Sequence, residues 1–136
     1  MNRHILLFLL LLFSATAGAQ NFIGLNERKV KRAMATEKPM FSLDERRNND
    51  KYRFLRYQSD DETETWIIFF DEEGLCKGVR VTCDTIYLDQ KRKEFNQLYT
   101  LTGDDSWTNS VNDQQVNIDL RNEKWFLTIT YTKIKN

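Results

Sequence analysis

The stretch TWIIFFDEEGLCKGVRVTC, residues Thr65 to Cys83, predicts a β-hairpin at the centre of the fold. Trp66 to Phe70 is an unbroken run of aromatic and β-branched residues, which favours a strand buried on both faces over a helix. Gly74 supplies the positive φ angle that a turn followed by a bulge needs. Beyond it, Val79 and Val81 alternate with polar residues, which indicates a strand with one solvent-facing side.

Two registers of this hairpin remain open at the level of sequence. A three-residue loop, Glu72 to Gly74, pairs Ile67 with Val79, whereas a two-residue loop, Glu73-Gly74, pairs Ile68 with Val79. Both faces of the first strand are apolar, so either register buries apolar side chains. Each large side chain that becomes fully buried contributes roughly 1.5–3 kcal/mol, which makes this hairpin the natural core of a small domain.

The amino-terminal residues have the pattern of a secretory signal peptide, residues 1–19. Arg3 gives a short positive segment, Ile5 to Phe13 is apolar throughout but too short to span a membrane, and Ala17-Gly18-Ala19 is an A-x-A cleavage motif. We expect cleavage before Gln20, which leaves one small domain, residues 20–136, in the periplasm or outside the cell. No cysteine lies at the cleavage point, so we expect neither lipid attachment there nor stable membrane insertion afterwards.

The charge and the histidine content exclude several classes of function. The signal peptide holds one of the 20 basic residues, Arg3, and none of the 20 acidic ones, so the mature chain has a net charge of −1. Nucleic-acid binding usually needs a basic excess, and we expect none here. The only histidine is His4, so the mature chain lacks histidine triads, relays and metal sites. We predict that the protein is not an enzyme and has no cofactor.

Carboxylates cluster in two places, residues 60–64 and Asp104-Asp105. Their spacing does not match a calcium-binding loop, and no glycine stands at the sharp-turn position of such a loop. We predict that these side chains are solvated turn residues and that the protein holds no metal.

Outside the central hairpin, hydrophobic periodicity predicts two helices and further strands. The first helix covers Gln20 to Lys38, with Asn26 as a candidate cap and Pro39 at its end. The second lies within Asp84 to Leu101 and is closed by residues 103–105. Five strands are predicted: Lys51 to Ser59, Thr65 to Phe70, Leu75 to Cys83, Gln115 to Arg121 and Lys124 to Ile134. Met40 to Arg46 and the brief extended segment Trp107 to Val111 are candidates for further strands.

The last two strands predict a second hairpin. A two-residue turn at Asn122-Glu123 pairs Leu120 with Trp125, Ile118 with Leu127 and Val116 with Ile129, which places every apolar residue on one face. We therefore predict an α+β fold of two layers: a mainly antiparallel sheet of about five or six strands, with both helices on one face. The order is helix, three or four strands, helix, two or three strands, and we find no internal repeat. This order is similar to the two-layer fold of bacterial secretion chaperones, a likeness of element order that implies no function.

Cys76 and Cys83 are the only cysteines. On one strand they are separated by roughly 23 Å at about 3.3 Å per residue, whereas a disulfide needs Cα atoms within about 7 Å. Their parity also places them on opposite faces. We predict two reduced, mostly buried thiols; a strand bend or pairing between two molecules is the alternative.

Two helices cover only one face of a sheet, and the central strand is apolar on both. We therefore expect a hydrophobic patch on the second face, with Trp66, Ile68, Phe70, Trp125 and Phe126 as candidate binding residues. The leading hypothesis is an exported, non-enzymatic binding module whose partner is another protein or a second copy of the chain.

Two alternatives belong to other classes of function. The protein could carry a small apolar ligand in a pocket between sheet and helices, lined by Trp66, Trp107, Trp125, Phe126 and Tyr131. It could also be an enzyme that works with carboxylates, tyrosines or lysines instead of histidine.

Overall fold

The structure, a computed structural model, describes residues 18–135. The predicted signal peptide lies outside the described residues except for Gly18 and Ala19. Ala19 and Gln20, which flank the predicted cleavage bond, are both buried in a short 3-10 helix, Ala19–Phe22. Within the described residues, no helix combines the length and the apolar character that a membrane crossing requires.

After this 3-10 helix, the described residues form two α-helices and eight β-strands. The helices are α1 (Glu27–Glu37) and α2 (Leu88–Leu98), and a 3-10 helix, Thr85–Tyr87, precedes α2. The strands are β1 (Phe41–Asn48), β2 (Arg53–Ser59), β3 (Thr65–Phe70), β4 (Cys76–Cys83), β5 (Thr100–Gly103), β6 (Ser106–Val111), β7 (Gln114–Asn122) and β8 (Leu127–Lys133). The fold is α+β as predicted, but it has eight strands instead of five or six.

All eight strands form one antiparallel sheet in the order β1-β2-β3-β4-β8-β7-β6-β5. Each half of the chain contributes a 3-10 helix, an α-helix and a four-stranded meander, and the meanders meet where β4 pairs with β8. The sheet therefore has the same topology when read from either edge. The sequence itself shows no internal repeat, so this repetition is one of topology, which a residue pattern does not reveal. The order of elements also departs from the one on which the likeness to secretion chaperones rested.

Both helices lie on one face of the sheet, which we call the covered face. Phe95 of α2 packs edge to face on Trp107 of β6, with ring centroids 5.2 Å apart. Glu27 at the start of α1 forms an ion pair with Arg46 of β1. Arg46 pairs across the strands with the buried Leu55, so α1 lies on the face that carries Leu55. The buried apolar side chains of the sheet converge on this face: Leu55, Tyr57, Trp66, Ile68, Phe70, Val79, Val81, Trp107, Val116, Ile118, Leu120, Leu127, Ile129 and Tyr131.

The first helix is shorter than predicted. It begins at Glu27 instead of Gln20, because Gly24 adopts a φ of +89° that interrupts helical geometry. The Gly24 N–H donates to the carbonyl of Cys76 at 2.8 Å, which ties this segment to β4. Asn26 caps α1 as predicted, since its Oδ1 accepts a 2.9 Å hydrogen bond from the backbone N–H of Lys29.

The second helix lies within its predicted range, but it ends before its predicted closure, and the residues after it form strands. It ends at Leu98, because Tyr99 has extended backbone angles, φ −125° and ψ 168°. The predicted helix closure at residues 103–105 is instead the turn that joins β5 to β6, with Asp105 at a φ of +52°. The sequence pattern did not predict β5, because all four of its residues are exposed and buried and exposed residues therefore do not alternate along it.

The turn of the central hairpin has the three-residue loop that the sequence offered as one of two choices. The Asp71 N–H donates to the carbonyl of Leu75 at 2.9 Å, and Gly74 has a φ of +80°. The Asp71 carboxylate also accepts hydrogen bonds from the backbone N–H groups of Glu73 and Leu75, at 2.9 and 3.0 Å. This aspartate therefore stabilises the turn from within.

One extra residue in β4 then changes the register. Phe70 pairs with Cys76 next to the turn, but Ile68 pairs with Val79, so Lys77 is the additional residue of a β-bulge. Beyond the bulge the hairpin has the register predicted for the two-residue loop. Each alternative from the sequence is thus realised in a different part of the same hairpin.

The predicted register of the carboxy-terminal hairpin was wrong, because each residue of β7 pairs four positions further along β8 than predicted. Leu120 pairs with Ile129 instead of Trp125, because the turn lies between Asn122 and Leu127 and holds four residues instead of two. A shift of four, like any even shift, preserves the face on which each side chain lies, since strand side chains alternate with a period of two. The alternating apolar residues within β7 and β8 therefore still reach the core, whereas Trp125 and Phe126 lie in the loop between the strands.

Candidate binding surface

The structure separates the five candidate residues of the predicted apolar patch. Trp66, Ile68 and Phe70 lie on the covered face and are only 5%, 0% and 7% exposed. Trp125 and Phe126 lie in the loop between β7 and β8 and are 79% and 42% exposed. The five side chains therefore do not form one surface, and three of them are core residues.

The face opposite the helices, which we call the open face, carries the odd-numbered residues of β3. No helix covers this face within residues 18–135. Strand registers align its side chains in rows across the sheet. The middle row runs Arg56, Ile67, Arg80, Thr130, Asp119 and Ser106, and a second row runs Phe54, Phe69, Gly78, Thr132, Asn117 and Thr108.

The amino-terminal half of the open face holds a half-buried apolar cluster. The rings of Phe54 and Phe69 lie 6.3 Å apart between centroids, and Ile67 lies on the same face of β3. The guanidinium carbon of Arg80 lies 5.6 Å from the centroid of the Phe69 ring. An arginine at this distance is attracted by the ring and covers part of its surface. Sequence periodicity identified an apolar second face but assigned it to the wrong parity of β3.

The carboxy-terminal half of the open face is polar and internally hydrogen-bonded. Ser106 Oγ donates to one oxygen of the Asp119 carboxylate at 2.5 Å, and Asn117 Nδ2 donates to the other at 2.6 Å. Threonines of β8 separate this group from the apolar cluster. The open face is therefore divided into an apolar, arginine-bearing half and a hydroxyl- and amide-bearing half.

A shallow groove of about 1170 Å³ crosses the open face over β3, β4 and β8. Gly78 stands between Phe69 and Thr132 in strand register and is itself buried. The groove is bordered by three acidic residues of the hairpin turn and by four basic residues: Asp71, Glu72, Glu73, Lys77, Arg80, Lys133 and Lys135. Ile134, which is 37% exposed, adds an apolar side chain.

The two cysteines are free and buried. The prediction of separate, buried thiols agrees with this, but the prediction of opposite faces was wrong. Because Lys77 is an extra residue in β4, the side chain of Cys76 lies on the covered face, together with that of its strand partner Phe70. Burial raises the pKa of the Cys76 thiol to about 12, and burial also raises the pKa of Cys83. Both thiols are thus protonated at neutral pH and are weak nucleophiles.

The acidic clusters stabilise turns. Asp61 accepts hydrogen bonds from both the side chain and the backbone of Thr63 and from the Ser59 hydroxyl, and these bonds lower its pKa. Asp105 forms two hydrogen bonds with the Arg92 guanidinium, at 2.9 and 2.8 Å. Among the described residues, no group of three or more histidine, cysteine, aspartate or glutamate side chains is arranged to hold a metal ion.

The aromatic residues assigned to a ligand pocket between sheet and helices are dispersed. Trp107 packs on Phe95 and donates its indole N–H to Asn96 at 2.9 Å, so a helix fills the space beside it. Tyr131 is 7% exposed on the covered face, while Trp125 is in solvent. These side chains do not surround a common space, and the carrier hypothesis has no geometric support from them.

A buried polar network joins the amino-terminal segment to the second half of the chain. Gln20 Nε2 donates to the Tyr99 hydroxyl at 2.9 Å, and Gln20 Oε1 accepts from Asn109 Nδ2 at 3.0 Å. Burial, as the largest cause, raises the pKa of Tyr99. The network satisfies the amide of a residue that is only 7% exposed, so its role is structural.

Compared with models of protein families, with curated proteins and with solved structures, the chain matches none of them.

Proposed function

We propose that this chain is an exported, non-enzymatic binding module that binds a protein partner through the open face of its sheet. The observation that carries the proposal is the half-buried cluster of Phe54, Ile67 and Phe69 on the face opposite the helices. An apolar cluster that is bordered by polar residues and left uncovered by the fold is typical of an interaction site. Export follows from the signal-peptide pattern of residues 1–19.

The composition of the open face favours a partner other than a second copy of the chain. Obligate homodimer interfaces resemble a domain core cut in half and are strongly apolar. Here Arg56, Arg80 and Asp119 share the middle row with a single apolar residue, Ile67. This mixture suits a reversible complex with a different protein. We expect the mature protein to be monomeric in sedimentation equilibrium, and a dimer abolished by Ile67→Glu would assign the face to self-association instead.

The test of the proposal is affinity capture from the extracytoplasmic fraction of the source cells. Immobilised chain 20–136 is compared with the Ile67→Glu variant, which places a charge in the apolar cluster, and with Trp125→Glu, which makes the same charge change in the exposed β7–β8 loop. We expect a protein that the wild type and the Trp125→Glu variant retain and that the Ile67→Glu variant loses. Equal capture by all three would contradict the assignment of the open face.

A further inference from the structure

We infer that the chain has a second binding surface, at one end of the sheet, which takes a basic segment of a partner protein that also carries an apolar side chain. This surface, which we call the apolar tip, consists of Ile86, Tyr87, Trp125 and Phe126. Cys83, the last residue of β4, pairs with Leu127, the first residue of β8. The segments 84–87 and 123–126 therefore leave the same end of the sheet side by side. The inference goes beyond the proposed function, because none of the four residues belongs to the apolar cluster of the open face.

All four side chains of the apolar tip are exposed to solvent. Ile86 is 76% exposed and Trp125 is 79% exposed, the two highest values among the large apolar side chains of residues 18–135. Tyr87 and Phe126 are 44% and 42% exposed. Large apolar side chains that share one exposed site are typical of an interaction surface, and tryptophan and tyrosine are among the residues that most often anchor one.

The connecting segments around the apolar tip determine which charge its occupant carries. Five of them lie at this end of the sheet: 38–40, 60–64, 84–87, 104–105 and 123–126. They hold two basic residues and eight acidic residues, the latter being Asp60, Asp61, Glu62, Glu64, Asp84, Asp104, Asp105 and Glu123. Within the part of the chain that the structure describes, only Asp105 of these eight forms an ion pair, with Arg92. The other carboxylates give this end of the sheet a negative potential that attracts a cationic partner.

The two basic residues of these segments are already placed against tryptophan rings. Lys38 Nζ lies 5.2 Å from the centroid of the Trp66 ring, and Lys124 Nζ lies 5.2 Å from that of the Trp125 ring. A tryptophan ring attracts a cation over its face, so the exposed Trp125 offers this interaction to a lysine or arginine of the partner as well. Arg121, exposed at the end of β7, adds a third cation, and acidic residues still outnumber basic ones by more than two to one.

The same charge argues against two other occupants. Tryptophan and tyrosine also lie at membrane interfaces, but an anionic bilayer repels a surface with this excess of carboxylates. A second copy of the chain, docked tip to tip, would bring two acidic ends together, which like-charge repulsion opposes. The apolar tip is therefore matched by charge to a basic partner.

The direct test uses labelled eight-residue peptides and fluorescence anisotropy with the chain 20–136. We expect a peptide that alternates lysine and leucine to bind, and to bind more weakly at high salt because exposed charges are screened. A serine–leucine peptide and a lysine–serine peptide each lack one half of the chemistry and should bind less well. Equal binding of a glutamate–leucine peptide would overturn the inference, as would binding to phosphatidylcholine vesicles without binding of the lysine–leucine peptide.

Variants locate the site. Trp125→Ser should weaken peptide binding roughly tenfold, which is the effect of losing an interface anchor. Tyr52 is the matched control, because it is 48% exposed at the opposite end of the sheet and Lys51 Nζ lies 5.3 Å from its ring centroid. Tyr52→Ser and Lys51→Gln should leave affinity unchanged, whereas Lys124→Gln removes a competing cation and should tighten binding roughly twofold. Equal losses in Trp125→Ser and Tyr52→Ser, or weaker binding by Lys124→Gln, would refute the placement.

Acrylamide quenching of tryptophan fluorescence reports on the apolar tip itself. Trp66 and Trp107 are only 5% and 1% exposed, so Trp125 supplies most of the fluorescence that acrylamide quenches. The bound lysine–leucine peptide should reduce the quenching. Peptide binding with unchanged quenching would place the peptide elsewhere and contradict the inference. All variants must also show the wild-type urea midpoint, so that loss of binding is not loss of folding.

The inference and the proposed function fail separately. If Trp125→Ser binds the peptide as the wild type does, the apolar tip is not the site, and loss of a captured partner in Ile67→Glu still supports the open face. If capture is insensitive to Ile67→Glu, the proposed function is wrong, and peptide binding that depends on Trp125 still supports the apolar tip. Loss of peptide binding in Ile67→Glu would assign the peptide to the open face and overturn the second surface.

Discussion

Two adjacent isoleucines in β3 allow the assignment of its faces to be tested directly. Ile68 lies on the covered face and is 0% exposed, whereas Ile67 lies on the open face and is half-buried. Alanine at each position removes the same atoms from the same strand. Any difference in stability between the two variants therefore reports which face the helices cover.

The magnitudes follow from burial. Replacing a fully buried isoleucine by alanine costs about 2–5 kcal/mol, because the lost transfer energy is increased by the cavity that remains. Ile67 is only partly removed from water and borders solvent, so Ile67→Ala should cost about 1 kcal/mol at about 0.8 kcal/mol per fully buried methylene. With a urea m-value of about 1.5 kcal/mol/M, the midpoint falls by roughly 1–3 M for Ile68→Ala and by less than about 1 M for Ile67→Ala.

The assay is urea unfolding of the chain 20–136, followed by tryptophan fluorescence. Because a domain of this size has about 5–15 kcal/mol of stability, the Ile68→Ala variant risks being unfolded in buffer. Ile68→Val and Ile67→Val provide a milder pair, with expected losses of about 0.5–1.5 kcal/mol for the first and close to zero for the second. Equal losses at the two positions, or a larger loss at Ile67, would refute the covered and open faces as described.

Three further predictions concern the core and the helix caps. Burial raises the pKa of Cys76 from 9.0 to about 12, so the unfolded thiol ionises first and stability should fall as pH rises from 9 towards 12, by up to about 1.4 kcal/mol per pH unit. Urea titrations of the wild type and Cys76→Ala across this range check it, since the variant should show a smaller slope. Asn26→Ala removes the cap on the Lys29 N–H and should cost about 1 kcal/mol, whereas an unchanged midpoint would mean that the cap is not formed in solution. Asn109→Ala leaves the buried Gln20 Oε1 without its donor and should cost about 1–3 kcal/mol in the same assay; a loss below 0.5 kcal/mol, on the order of a surface substitution, would argue against the buried network.

Local sequence patterns predicted the strands along which buried and exposed residues alternate, and they predicted the N-cap of the first helix. The strands β3, β4, β7 and β8 were all predicted near their observed positions, and Asn26 was correctly identified as a cap. Each of these features depends on residues within a few positions of one another. The segments that were mispredicted, β5 and the start of α1, carry a weak or misleading apolar pattern.

The candidate binding residues were harder to predict, because their positions depend on contacts between distant parts of the chain. Trp66 and Ile67 are both apolar, and only the helices decide which of them is buried. Trp125 was assigned to a strand because a two-residue turn satisfied the alternation, yet a four-residue turn satisfies it equally well. The sequence contains no signal that distinguishes the two turns.

Residue order alone established most of the strands, the turn glycine, the absence of histidine after His4 and the separation of the two cysteines along one strand. Tertiary structure decided which face of the central strand meets the helices, the joining of two four-stranded meanders at β4 and β8, and the bulge at Lys77 that turns Cys76 inward. The physical reason is that alternation defines two faces of a strand, but covering one of them requires elements far away in the chain.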